Sequence, residues 1–124
     1  MPPSALRQGD IYLCDFRTPP GHEQHGLRPA VVIANEPYHL SIPRMTIVVA
    51  LTSANRNLPH HIEIPPDPVN GLRCISYAIT EQPKAVSLER LSGDRQGVLA
   101  AQPLGQILGY VQMFIQQESF RAHE

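Results

Sequence analysis

Several features that would announce a function are missing from this chain. It has only two cysteines in 124 residues, Cys14 and Cys74, whereas a small secreted domain held by disulfides carries more. Both lie in apolar segments and are expected to be buried free thiols. Neither belongs to a CxxC pair or a glycine-flanked nucleophile, which disfavours thiol catalysis. Neither sign of charge dominates: 10 Lys and Arg against 11 Asp and Glu leave a formal charge of −1. No bulk field exists to hold a polyanion, so any such binding must come from a local cluster of cations. No apolar run approaches the ~18 residues needed to span a bilayer, and "MPPSALRQGD" lacks the basic and apolar regions of a secretory signal. A cytoplasmic protein with no membrane partner is expected. P-loop and Rossmann glycine loops are absent, as are repeats and low-complexity tracts.

Proline and glycine, by contrast, are plentiful, 13 and 8 respectively, and they cut the chain into short pieces rich in Val, Ile, Tyr and Thr. That is the punctuation of a β protein. "DIYLCDF", Asp10 to Phe16, alternates as a strand with a buried face. "AVVIA" and "MTIVVALT" are continuous β-branched runs suited to strands buried on both sides of a curved sheet. "HHIEI", His60 to Ile64, is followed by "PPDPVNG", where Asn70-Gly71 signals a hairpin turn. "LRCISYAI" and "KAVSL" continue the strand pattern. From Pro103, placed as a first helical residue, the apolar positions Leu104, Ile107, Leu108, Val111, Phe114 and Ile115 take helical spacing. The reading is one domain over residues 1–124, strand-rich over about 7–92, closed by a helix over about 103–117. Gly105 and Gly109 inside that helix suggest close packing against the sheet.

The candidate chemistry gathers in "GHEQHGLRPAVVIAN", Gly21 to Asn35. Arg28 precedes Pro29, which biases it toward an extended backbone at the mouth of a central strand. Its permanently charged, planar fork of donors suits a phosphate; the alternative is a surface Arg paired with Glu23. Glu23 and Glu81 each lie in a polar break beside an apolar strand and could act as general base, or be solvated carboxylates. Thr52 ends a strand, where its hydroxyl could satisfy a turn or bind a phosphate oxygen. Six histidines invite a metal reading. It is rejected, because adjacent His60 and His61 would point to opposite faces of a strand, and His22 and His25 lack a partner at ligand spacing. His25 is read as a bystander.

In order and spacing, "RQGDIYLCDF", "GHEQHGLRPAVVIAN", "VVALTS" and "SYAITEQPKAVSLERL" resemble the MazF/PemK (Kid-like) family of toxins of type II toxin–antitoxin systems, over roughly residues 7 to 92. The resemblance implies a mainly β, SH3-like small barrel with a C-terminal helix, assembled as a homodimer. It implies a metal-independent, cofactor-free endoribonuclease acting on single-stranded RNA and inhibited by a cognate antitoxin. By position, the family's catalytic Arg falls on Arg28 and its catalytic Thr on Thr52, followed by Ser53. The motif Glu is Glu23, between His22 and Gln24, and an acidic residue of the Kid-like branch falls on Glu81, followed by Gln82. One departure matters: that branch has an Arg two residues before the acid, where this chain has Ile79, and its acid is Asp rather than Glu81.

The chemistry implied is attack of a ribose 2′-hydroxyl on its neighbouring phosphorus, leaving 2′,3′-cyclic phosphate and 5′-hydroxyl ends. Arg28 suits charge stabilisation, since a guanidinium with a pKa above ~12 is a poor base. Thr52 would fix a phosphate oxygen, and the proton acceptor stays open among His22, Glu23 and Glu81. Arg17, Arg56 and Lys84 are candidates to meet the RNA backbone, and Tyr12, Phe16 or Tyr77 to stack on bases, with core packing the alternative for each aromatic. Two other classes fit the same fold: a toxin that binds DNA gyrase and cuts nothing, and a degenerate module that binds RNA or antitoxin.

Overall fold

A computed structural model of the chain describes residues 5–16 and 26–119. Its strands are β1 (Asp10–Asp15), β2 (Leu27–Val32), β3 (Met45–Thr52), β4 (His61–Ile64), β5 (Ser76–Ile79), β6 (Lys84–Ser87) and β7 (Gly97–Val98). A short helix α1 (Glu36–Ser41) joins β2 to β3, and α2 (Ala101–Phe114) closes the chain. The strands form one curled antiparallel sheet in the order β4-β5-β3-β2-β1-β7, with β6 also on β3. This is the half-barrel with a C-terminal helix that the strand pattern and the resemblance led one to expect.

The continuous apolar runs are explained by burial on two sides. Val31, Val49 and Leu51 face a cluster with Ile11, Ile62 and Ala78 that α2 covers through Ile107. Their neighbours Ala30, Val32 and Val48 face a second cluster with Tyr12, Cys14, Phe16, Val86 and Leu91. Side chains alternate along a strand, so a strand buried on both faces must be apolar at every position.

β3 organises the site because its two edges carry different partners. One edge pairs with β2; the other pairs with β6 at its start and β5 at its end. Leu51 lies opposite Ala78 and Val48 opposite Lys84, so a short step along β3 matches a longer one between β5 and β6. The surplus residues bulge from the ladder, and Glu81 is among them. Such bulges re-aim a side chain.

Five local readings change. Helix α1 is formed by "EPYHLS", passed over because Pro37 looked like a strand boundary. Asn35 caps it, its Oδ1 accepting from Tyr38 N–H at 3.2 Å, with the proline in the first turn, where a missing N–H costs nothing. For the same reason α2 can start at Ala101, ahead of Pro103. Leu72 to Ile75 stay outside β5, and Asn70-Gly71 belongs to a long connection rather than a two-residue turn, although Gly71 does take a positive φ of 70°. Gly105 and Gly109 face open space, with nothing within 4 Å of a Cβ built on either, so they do not mark close packing.

His39 ties α1 to β3: its Nε2 lies 2.8 Å from Oγ1 of the fully buried Thr46. Burial lowers its pKa, only partly opposed by the charge of Asp10. The folded state therefore prefers neutral imidazole. Stability from this group is present above the unfolded value of about 6.5 and is lost as pH falls through it toward the lower folded value. We expect the melting temperature to fall between pH 7 and pH 5 more steeply in the wild type than in His39→Gln, as read by thermal melts across that range.

Candidate functional site

Arg28 sits near the start of β2, paired with Cys14 of β1. β2 and β3 pair Ala30 with Ala50 and Val32 with Val48, and continuing that register by two residues brings Arg28 abreast of Thr52. Thr52 pairs with Tyr77 of β5, and Tyr77 with Glu63 of β4. Residues opposite one another share a face. Cys14, Arg28, Thr52, Tyr77 and Glu63 thus form one row across five strands, on the face away from α2. At a strand spacing of about 4.8 Å, Arg28 and Thr52 lie within reach of a single phosphate, and Tyr77 is one strand further.

Arg28, Tyr77 and Glu63 are at least partly exposed in this row, whereas Thr52, at 6% exposure, and Cys14 are buried. No carboxylate among the described residues forms an ion pair with Arg28. Oγ1 of Thr52 accepts the Ala54 N–H at 3.1 Å, which leaves the hydroxyl proton free to donate. Tyr77 is half-buried. The N–H of Phe16 donates to the Gly26 carbonyl at 3.2 Å, close to Arg28 in the chain. His22, Glu23 and Gln24, with Arg17 and His25, lie between these two residues in the sequence and outside the described residues.

The fold has counterparts among known proteins. The model of the PemK-like, MazF-like toxins of type II toxin–antitoxin systems matches residues 7–115. The chain belongs to this toxin family. An endoribonuclease MazF of Staphylococcus saprophyticus is 39% identical over 62 residues, a match spanning 48% of this chain and 50% of that one; the chain thus spans about half the length of that curated relative. Among solved structures, MazF of Deinococcus radiodurans superposes with a TM-score of 0.74 at 18% identity, over 90% of this chain and 97% of that one. A mycobacterial endoribonuclease in complex with its cognate antitoxin superposes at 0.65, with 18% identity, 92% of this chain and 96% of that one. At such identities these structures speak for the fold.

Within this PemK/MazF-like fold Glu81 stands apart from the row. It lies four residues beyond Tyr77, up to about 13 Å along an extended strand. Its carboxylate Oε1 is 3.0 Å from Nε2 of His61 and 3.4 Å from Nε2 of His60. Burial alone would raise its pKa, but hydrogen bonds from its own backbone N–H and from His61, and the charges of both histidines, bring it below the usual value. A carboxyl lowered in this way is a poor proton acceptor and a good fixed charge. Ile79, at the position where the Kid-like branch has an Arg, lies directly opposite His61. The histidine that sequence reading dismissed thus occupies the neighbouring strand.

The expectation that His60 and His61 point apart is overturned. His60 belongs to the turn before β4, where strand alternation does not apply, and Thr80 Oγ1 donates to its carbonyl at 2.6 Å. Pro59, just before it, was the available signal. Ser53 and Gln82 are exposed, as is Arg56. Tyr12 and Phe16 are core residues at 4% and 5% exposure and are withdrawn as stacking platforms. Lys84 stands 5.8 Å over the Phe16 ring, which holds its stem against the second cluster. Cys14 is buried, its thiol pushed up to about 11 by burial despite Arg90 and Lys84, so it is inert. Cys74 is exposed, against expectation, because its segment is not in a strand.

Proposed function

We propose that this chain is the toxin of a type II toxin–antitoxin pair, a homodimeric, metal-independent endoribonuclease that cleaves single-stranded RNA and is restrained by a cognate antitoxin protein. The observation that carries the reading is Arg28, without an ion pair to any described carboxylate, brought abreast of Thr52 by the β2–β3 register on one face of a PemK/MazF-like sheet. Such a pair suits a phosphate whose charge rises in the transition state.

Attack of the 2′-hydroxyl on the adjacent phosphorus places negative charge on the non-bridging oxygens. Arg28 takes that charge and Thr52 holds one oxygen through its hydroxyl proton. Glu81, its pKa held down by both histidines, acts as a fixed charge, so proton acceptance falls to His22 or Glu23, which precede Arg28 by a few residues in the sequence. As the bond from phosphorus to the 2′ oxygen forms, its bond to the 5′ oxygen breaks and that oxygen takes a proton from solvent, leaving a 2′,3′-cyclic phosphate and a 5′-hydroxyl end. Tyr77, one strand beyond Thr52, is placed to stack on a base. Only an unpaired strand exposes base faces to it.

Purified protein incubated with a mixed-sequence single-stranded RNA in excess EDTA should yield discrete fragments bearing cyclic phosphate. Intact RNA with folded protein would reject the nuclease reading in favour of a gyrase-binding toxin or a binding-only module. Dependence on added metal would reject the mechanism.

A further inference from the structure

The cluster at the β5–β6 bulge has the composition and spacing of a metal site. Oε1 of Glu81 lies 3.0 Å from Nε2 of His61 and 3.4 Å from Nε2 of His60, and one ligand atom from each residue falls within 4.8 Å of the other two. Four ligands held tetrahedrally at about 2.0–2.1 Å from zinc are about 3.3 Å apart. The two separations from the carboxylate are close to that edge, and the third, between the histidines, is bounded at 4.8 Å. Two imidazoles and a carboxylate with a fourth position open form a known zinc donor set.

The side chains are also held. His61 is buried at 3% side-chain exposure. The His60 ring stands edge-on to those of His61 and Phe114, with centroids at 5.1 and 5.6 Å, and against Tyr110 at 6.4 Å. The Thr80 hydroxyl ties the His60 backbone to the bulge. Glu81 supplies one negative charge and the open side faces solvent.

We propose that His60, His61 and Glu81 form a zinc-binding site on each chain, with Nε2, Nε2 and a carboxylate oxygen as ligands and water in the fourth position. The site limits its own affinity. Nδ1 of His61 is buried without a partner, and a ligating histidine ordinarily donates that second N–H to an acceptor whose loss costs about 10–100-fold in affinity. Binding is therefore about 10–100-fold weaker than at a site whose histidines both have such an acceptor. It weakens in acid, because the metal competes with protons for both imidazoles. The site stands independently of the nuclease reading. If that reading holds, zinc withdraws Glu81 from its role as a free fixed charge and slows cleavage.

The test is calorimetric titration of untagged, EDTA-stripped and desalted protein with zinc chloride in a non-chelating buffer. One ion per chain is expected at pH 7.5, with affinity at least tenfold weaker at pH 5.5. His60→Ala and Glu81→Gln should each weaken binding tenfold or more, and a His22→Ala/His25→Ala double variant should bind as the wild type does. His60 is the partly exposed histidine of the pair, so its variant should fold, which thermal melting verifies. Absence of binding overturns the proposal. So does binding that survives His60→Ala and Glu81→Gln, or that is lost in the double variant. None of these readouts depends on RNA cleavage, so the metal site and the nuclease reading can fail separately.

Discussion

Arg28→Ala should reduce RNA cleavage about a thousandfold or more while leaving the melting temperature within a few degrees of wild type. A guanidinium that meets charge developing only in the transition state acts on the chemical step, and loss of one such group costs about 10²–10³ in rate for a neutral donor and more for an arginine on phosphoryl oxygens. The fold has little at stake. Arg28 is half-buried near the start of β2 and makes no ion pair with a described carboxylate, and the β1–β2 ladder it joins is built from backbone groups. Surface changes of this type usually fall within about 0.5 kcal/mol. Arg28→Lys separates charge from geometry: it keeps the cation and loses the fork, so a partial recovery of rate is expected. The measurement is the initial rate on a fluorescent single-stranded RNA beside a thermal melt of each variant. Full activity in Arg28→Ala would sink the assignment; lost activity with lost folding would not support it.

How much of this was legible in the sequence follows from the physics of each part. Strands buried on two faces were visible because they must be apolar at every position, as in "AVVIA" and "MTIVVALT". Arg28 and Thr52 were visible because both sit at ends of those runs, yet their adjacency was not, since it depends on the β2–β3 register. Helix α1 was hidden by its own proline, which reads as a breaker unless Asn35 is seen as a cap. The His60–His61–Glu81 cluster was hidden for a deeper reason. Strand alternation predicts that adjacent side chains diverge, and the rule fails one residue before a strand begins. A bulge between β5 and β6 then carries Glu81 to meet both rings, and a bulge set by pairing with a third strand leaves no local pattern. The same three-dimensional cause moved Cys74 into solvent: its segment looked like a strand but found no partner there.

The connection between β4 and β5 yields the other large effect, on stability. Gly97→Ala should destabilise the protein by about 3–5 kcal/mol, combining overpacking with lost buried hydrogen bonds. A Cβ on Gly97 would land on the backbone carbonyl of Asn70 and the carbonyl oxygen of Val69. Neither atom can step aside cheaply. Asn70 is 1% exposed; its Oδ1 accepts from the N–H groups of Asp67 and Leu72, its Nδ2 donates to the Pro65 carbonyl, and its own N–H donates to Asp67 Oδ1. Val69 accepts the Val98 N–H at 3.0 Å, joining the same loop to β7. To admit a methyl group the loop must leave β7, breaking that bond and loosening the Asn70 network. At about 3–6 °C per kcal/mol for a domain of this size, the melting temperature should fall by roughly 9–30 °C. Gly105→Ala is the counterpart, an exposed helical position with open space around the added methyl, where better helix propensity should raise stability by up to about 1 kcal/mol. Circular-dichroism melts of both variants decide the matter. A Gly97→Ala protein melting within 3 °C of wild type would mean that the loop yields, and that its hydrogen bonds do not hold it against the sheet.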